Sequence, residues 1–145
     1  MPEIWEALLR FEIPSQAGLE RQAMERVADA VKDYLSPKAL ERMKTAVAEG
    51  ALNAIEHGNK FQEEVPVEVD VLVSARAVTV RITDMGGNQE IPENTVPDLE
   101  AKLAGLEPTR GWGLFLIRNM VDEVQTITDG QRHTLVLILN RENAL

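Results

Sequence analysis

Val67-Glu68-Val69-Asp70-Val71-Leu72-Val73-Ser74-Ala75-Arg76-Ala77-Val78-Thr79-Val80-Arg81-Ile82-Thr83 is the stretch that decides the fold. Valines at 67, 69, 71 and 73 alternate with Glu68 and Asp70, and Val78, Val80 and Ile82 alternate with Thr79, Arg81 and Thr83. A period of two with one apolar face is the pattern of a half-buried strand. Two such runs, joined near Ser74 to Ala77, leave no room for a crossover helix between them. Consecutive strands without a helix between them make a mainly antiparallel sheet and disfavour a doubly wound parallel one.

Upstream of this stretch the spacing is mostly helical. Leu9, Phe11 and Ile13 alternate with Arg10 and Glu12 in an opening strand over Trp5 to Pro14. Leu19, Ala23, Val27, Ala30, Val31 and Tyr34 then recur at steps of three and four, the signature of one buried helix face. Ser36-Pro37 reads as an N-cap followed by proline at the first helical position, opening a second helix that runs to about Gly58. Downstream, Met85 to Arg110 holds three prolines and three glycines and reads as a loop. Leu114, Ile117 and Val121 mark a third helix, and two closing strands flank the hairpin dipeptide Asp129-Gly130. The predicted architecture is an α+β two-layer sandwich: a mixed, mainly antiparallel sheet with helices on one face, in a single domain over 1–145.

Composition narrows the function. The chain has 145 residues and a net charge of −9, with two Trp, one Tyr and three Phe. That charge and so few stacking rings argue against direct nucleic-acid binding. The absence of cysteine removes disulfides, thiolate nucleophiles and thiolate metal sites, and suits a reducing compartment. Met1 to Pro14 carries Glu3, Glu6, Arg10 and Glu12 and lacks the apolar core of a signal peptide, and Leu135 to Leu139 is too short to span a bilayer. A cytoplasmic protein without membrane contact is expected.

Three patterns carry chemistry. In Glu49-Gly50-Ala51-Leu52-Asn53-Ala54-Ile55-Glu56-His57, Met43, Val47, Ala51 and Ala54 form the apolar stripe, while Glu49, Asn53 and His57 drift roughly 40° per step along another flank. An Asn oxygen suits Mg²⁺ and a carboxylate suits proton acceptance, although a Glu and Asn at this spacing are more often an ordinary exposed pair. Gly50, beside them, costs a helix about 1 kcal/mol relative to alanine, so a close approach is expected there. Asp84-Met85-Gly86-Gly87-Asn88 follows a strand, where an Asp can accept from an exocyclic amino group and glycines leave space for a flat ring; on its own it is an ordinary turn. Arg110-Gly111-Trp112-Gly113-Leu114 leads from the loop into a helix, where backbone amides and Arg110 suit a phosphate.

Other chemistries are poorly served. There is no Gly-x-x-x-x-Gly-Lys-Ser/Thr, and no third glycine follows Gly111 and Gly113 to complete a dinucleotide fingerprint. Two histidines without cysteine are too few for a zinc site unless carboxylates contribute, and His133 reads as structural. Ser15, Ser36 and Ser74 fall at caps and a turn rather than at a poised nucleophile.

Taken in order, Glu49-x-x-x-Asn53, Asp84-x-Gly86 and Gly111-x-Gly113-Leu114 resemble the Bergerat ATP-binding fold of gyrase B, histidine kinases and mismatch-repair ATPases. Length, and the stretches Glu41 to Gly58 and Arg110 to Val124, look most like the bacterial anti-sigma-factor serine/threonine kinases. The resemblance implies that Asn53 coordinates Mg²⁺ on the ATP phosphates and that Glu49 is the general base for a partner's hydroxyl. It implies that Asp84 binds the adenine amino group beside Gly86, and that Arg110, Gly111, Gly113 and Leu114 belong to the nucleotide site, with an ATP lid over about 88–110. It further implies a homodimer that phosphorylates an anti-sigma-factor antagonist and sequesters a sigma factor. Asn88 stands where the family pattern has a second glycine, and Asn adopts left-handed backbone more readily than most residues. His57 ends the nucleotide helix and is not a phosphoacceptor in this reading. A non-catalytic ATP-gated binding module and a small ATPase remain as alternatives.

Overall fold

The computed structural model describes residues 3–87 and 109–141, the side chains of 109–113 excepted. The chain runs β1 (Glu6–Ile13), α1 (Leu19–Val31), α2 (Pro37–Asn53), a π-helical turn (Ala54–Gly58), β2 (Val67–Val73), β3 (Ala77–Asp84), α3 (Thr109–Met120), β4 (Glu123–Asp129) and β5 (Arg132–Asn140). The five strands lie in the order β1-β2-β3-β5-β4.

The period-two valines behave as their spacing requires. Val67, Val69, Val71 and Val73 are buried, and the residues between them are half-buried. Val71 lies opposite Val80 and Val69 opposite Ile82, which in turn face Leu137 and Leu135 across β5. This continuous apolar row is one face of the sheet, and it belongs to the same core as Ala23, Val27, Met43, Val47, Ala51 and Ile117 from the helices. The opposite face carries charge: Glu68 is gripped by Arg10 at 3.2 Å and by Arg132 at 2.8 Å. Burial raises the Glu68 pKa, but the hydrogen bonds and charges of Arg132 and Arg10 outweigh it and hold the carboxyl below its ordinary value.

A mixed sheet was one expectation, and all four pairings among the described residues are antiparallel. The reason is topological. β4 runs in the same direction as β3, but β5 inserts between them through the β4–β5 hairpin, so no two parallel strands become neighbours.

Ser36 caps α2 as its sequence suggests: its Oγ accepts the Ala39 N–H at 3.1 Å, and Pro37 occupies the first helical turn. The predicted stripe of Met43, Val47, Ala51 and Ala54 is buried throughout. The helix does not stay α-helical to Gly58. Its last turn widens, with the Asn59 N–H donating to the Ala54 carbonyl at 2.8 Å, five residues back. Lys60 and Phe61 then take left-handed backbone, at φ 51° and 59°, to leave the helix. Single π-turns of this kind are frequent at functional sites.

The expected lid, 88–110, lies outside the described residues as far as 108, and its last two positions correct the sequence reading. Thr109 and Arg110 already belong to α3, so the helix opens before the Gly111-x-Gly113 pair instead of after it. Among the described residues no helix is long and apolar enough to cross a membrane.

Candidate nucleotide site

The site forms where the C-terminal half of α2 crosses β3 and β5. Gly50 permits the crossing: a Cβ there would lie 2.9 Å from Ile82 Cδ1 and 3.0 Å from Leu135 Cδ2. The close approach expected at this glycine is therefore made by the sheet. Beside it opens a narrow cleft with about 20 Å³ of free space between its walls, lined by Gly50, Asn53 and Ala54 of the helix, Ile82 and Asp84 of β3, Leu114 of α3, Thr126 of β4, and His133 and Leu135 of β5. Its walls are mixed, apolar at Ile82, Leu114 and Leu135 and polar at Asn53, Asp84, Thr126 and His133.

Three residues singled out from sequence, Asn53, Asp84 and Leu114, share this cleft although they come from three elements. Asn53 and Leu114 reach it from helices, and Asp84 from the end of a central strand. Glu49 sits one turn earlier on α2, half-buried and outside the lining. Gly86 also lies behind the wall rather than in it. Its N–H donates to Asp84 Oδ1 at 2.7 Å, so it anchors the carboxylate. Arg110, Gly111 and Gly113 are the second, third and fifth residues of α3.

Asp84 is 5% exposed, and its surroundings explain how a carboxylate is kept there. One oxygen takes the Gly86 amide, and the other faces His133 Nδ1 at 3.4 Å. Gly58 presses on its back. A Cβ at Gly58 would fall 2.2 Å from Asp84 Cγ, and one at Gly86 would fall 2.7 Å from Gly58 Cα. The end of α2 is thus stacked directly on the end of β3.

Asn59 locks that stack. Buried at 3% exposure, it donates through Nδ2 to Ser15 Oγ at 2.9 Å and to the carbonyls of Val65 and Pro66, and its Oδ1 accepts the Met85 N–H at 2.8 Å. In the sequence Asn59 is marked only as the residue that follows the end of the second helix. His133 and Thr126 were also missed as cleft residues, since nothing local distinguishes them from other strand positions. Only the register, which sets His133 opposite Asp84 and Thr126 opposite Leu135, brings them to the site.

The donor set bears on the metal. Among the described residues no group of three or more His, Asp or Glu side chains could cage a cation. Mg²⁺ seldom uses such a cage: it keeps several waters and takes one or two protein oxygens plus substrate phosphates. One carboxamide in the cleft, with a carboxylate one turn away, fits that habit.

The chain belongs to the histidine kinase-like ATPase domain family, whose model matches residues 13–139. Its relatives include the serine-protein kinase RsbW of Listeria monocytogenes, 30% identical in a 124-residue alignment that covers 80% of this chain and 74% of the relative. The anti-sigma F factor of Clostridium botulinum is 28% identical over 145 residues, covering 98% and 99% of the two chains. These relatives set the chain among the anti-sigma-factor kinases of that family. A solved structure of the RsbU and RsbW domains of a Mycobacterium tuberculosis protein superposes with a TM-score of 0.66 at 14% identity. It covers 97% of this chain and 33% of its own, and it shows the shared fold.

Proposed function

We propose that this protein is an ATP-dependent serine/threonine protein kinase that acts as an anti-sigma regulatory factor. Its substrate would be a small anti-sigma-factor antagonist, and in the alternate state it would hold a sigma factor, as a homodimer in the cytoplasm. The observation that carries this is the meeting of Asn53 and Asp84 in one cleft of a chain related to serine-protein kinases and anti-sigma factors.

In this mechanism Asp84 accepts from the exocyclic amino group of adenine, while Ile82 and Leu135 give the ring apolar walls. Leu114 closes the cleft from α3. Asn53 would hold the Mg²⁺ through its amide oxygen, and the ion would supply charge neutralisation there. The first amides of a helix have no acceptor within it, so α3 opening at Thr109 favours a phosphate near Arg110 and Gly111, with Gly113 keeping the next turn free of bulk. Glu49, on the same helix as Asn53, takes the proton of the partner's hydroxyl as its oxygen attacks the γ-phosphorus. The bond to the β-bridging oxygen breaks and ADP leaves. Phosphoryl transfer depends mainly on alignment and charge, so a modest base one turn from the metal ligand is sufficient.

The test is incubation with labelled ATP, Mg²⁺ and an antagonist domain. Label appearing on the antagonist and lost in Glu49→Ala is the expected result. Nucleotide binding without transfer would favour the gated module, and phosphate release without a partner would favour the ATPase.

A further inference from the structure

We propose that His133 is a positioning residue that makes the cleft select an amino-purine over a keto-purine, a role that rests on the nucleotide reading above. His133 and Asp84 are register partners across β5 and β3, 7% and 5% exposed, and both line the cleft. Nδ1 approaches Asp84 Oδ2 at 3.4 Å, the outer limit of a hydrogen bond. A carboxylate only accepts, so this pairing puts the ring proton on Nδ1. Nε2 of the neutral ring is then an acceptor, and it has no hydrogen-bond partner among the described residues.

Asp84 is therefore held from three sides. The Gly86 amide takes Oδ1, the Gly58 backbone blocks retreat, and the imidazole faces Oδ2. Each carboxylate oxygen keeps a further lone pair, and in this tautomer Nε2 offers an acceptor that no described residue meets. A base edge that answers such a wall must bring N–H groups. Adenine has two on its 6-amino group, whereas guanine and hypoxanthine carry a carbonyl oxygen at that position and would set acceptor against acceptor. Sites built on buried hydrogen-bonding groups reject the mismatched analogue strongly, because the buried groups stay unpaired.

The experiment is calorimetric titration of the full chain with Mg-ATP and Mg-ITP, whose bases share the ring system and differ at position 6. The parent should prefer ATP. His133→Leu, similar in bulk and without the N–H, should lower the ATP-to-ITP affinity ratio about tenfold or more, the worth of one hydrogen bond to a charged group. His133→Asn, whose amide nitrogen reaches the place of Nδ1, should keep the ratio within about twofold of the parent. His133→Gln, whose amide nitrogen lies near the Nε2 position, should behave like Leu and serves if the Leu variant does not fold. Equal ratios in all variants, or equal losses in the Asn, Gln and Leu variants with unchanged circular dichroism, would overturn the role of His133 while leaving the nucleotide site standing. A parent that binds neither nucleotide would overturn both.

Discussion

Gly58→Ala should disable the site by a steric route that can be worked out in advance. The added Cβ would stand 2.2 Å from Asp84 Cγ and 2.5 Å from Oδ1. Ordinary carbon contacts begin near 3.5 Å, so the carboxylate must retreat by about 1.3 Å or the end of α2 must lift by as much. Either movement breaks the 2.7 Å bond from the Gly86 amide, which tolerates only a few tenths of an ångström. Overpacking of this kind costs about 1–3 kcal/mol, and a hydrogen bond to a charged group about 1.5–3 kcal/mol. Taken as partly overlapping, they amount to about 3 kcal/mol. With a urea slope of about 2 kcal/mol/M the unfolding midpoint should fall by roughly 1.5 M. ATP affinity measured by calorimetry should fall at least about tenfold, because Asp84 no longer meets the base squarely. Gly18→Ala is the control. Its φ is 98° but no atom lies within 4 Å of the new Cβ, so it should lose about 1 kcal/mol of stability and no nucleotide affinity. A Gly58→Ala protein that keeps its urea midpoint and its ATP affinity would refute the stacking of α2 on Asp84.

Asn53→Ala should bring ATP affinity in Mg²⁺ down to the value seen in excess EDTA, read by calorimetry; a persistent Mg²⁺ effect would remove Asn53 from the metal. Asn59→Ala strips four hydrogen bonds from a buried hub, leaving the Met85 N–H without its acceptor. It should cost about 3 kcal/mol and lower Tm by roughly 10 °C in scanning calorimetry. Glu68→Gln tests the ion cluster on the open face. The Glu68 pKa is lowered in the folded state, so its contribution is fully present above the ordinary glutamate value and is lost as pH falls through the lowered one. The stability gap between parent and Glu68→Gln should therefore be flat near pH 7 and close in acid, and a gap that widened in acid would contradict the Arg10–Glu68–Arg132 cluster.

Much of the fold was legible because burial imposes a period. Valines every second residue can serve only one face of a sheet, and Met43, Val47, Ala51 and Ala54 can serve only one side of a helix. Ser36-Pro37 specified its own helix start through a hydroxyl that reaches the Ala39 amide three residues on. Hydrogen bonds of this range need no tertiary information. The end of the same helix was less legible, since a π-turn and two left-handed residues at Lys60 and Phe61 have no composition that marks them.

By itself the sequence determined the strand pairs, the helix faces and the candidate identities of Asn53 and Asp84, all of which depend on neighbours within a few residues. Only the tertiary structure decided that Gly58 would brace Asp84, that Asn59 would tie the end of α2 to Met85, and that His133, 49 residues along the chain, would stand against the same carboxylate. These relations follow from strand register and from how closely a helix crosses the sheet. Both are set by the packing of the whole core, so no short segment encodes them.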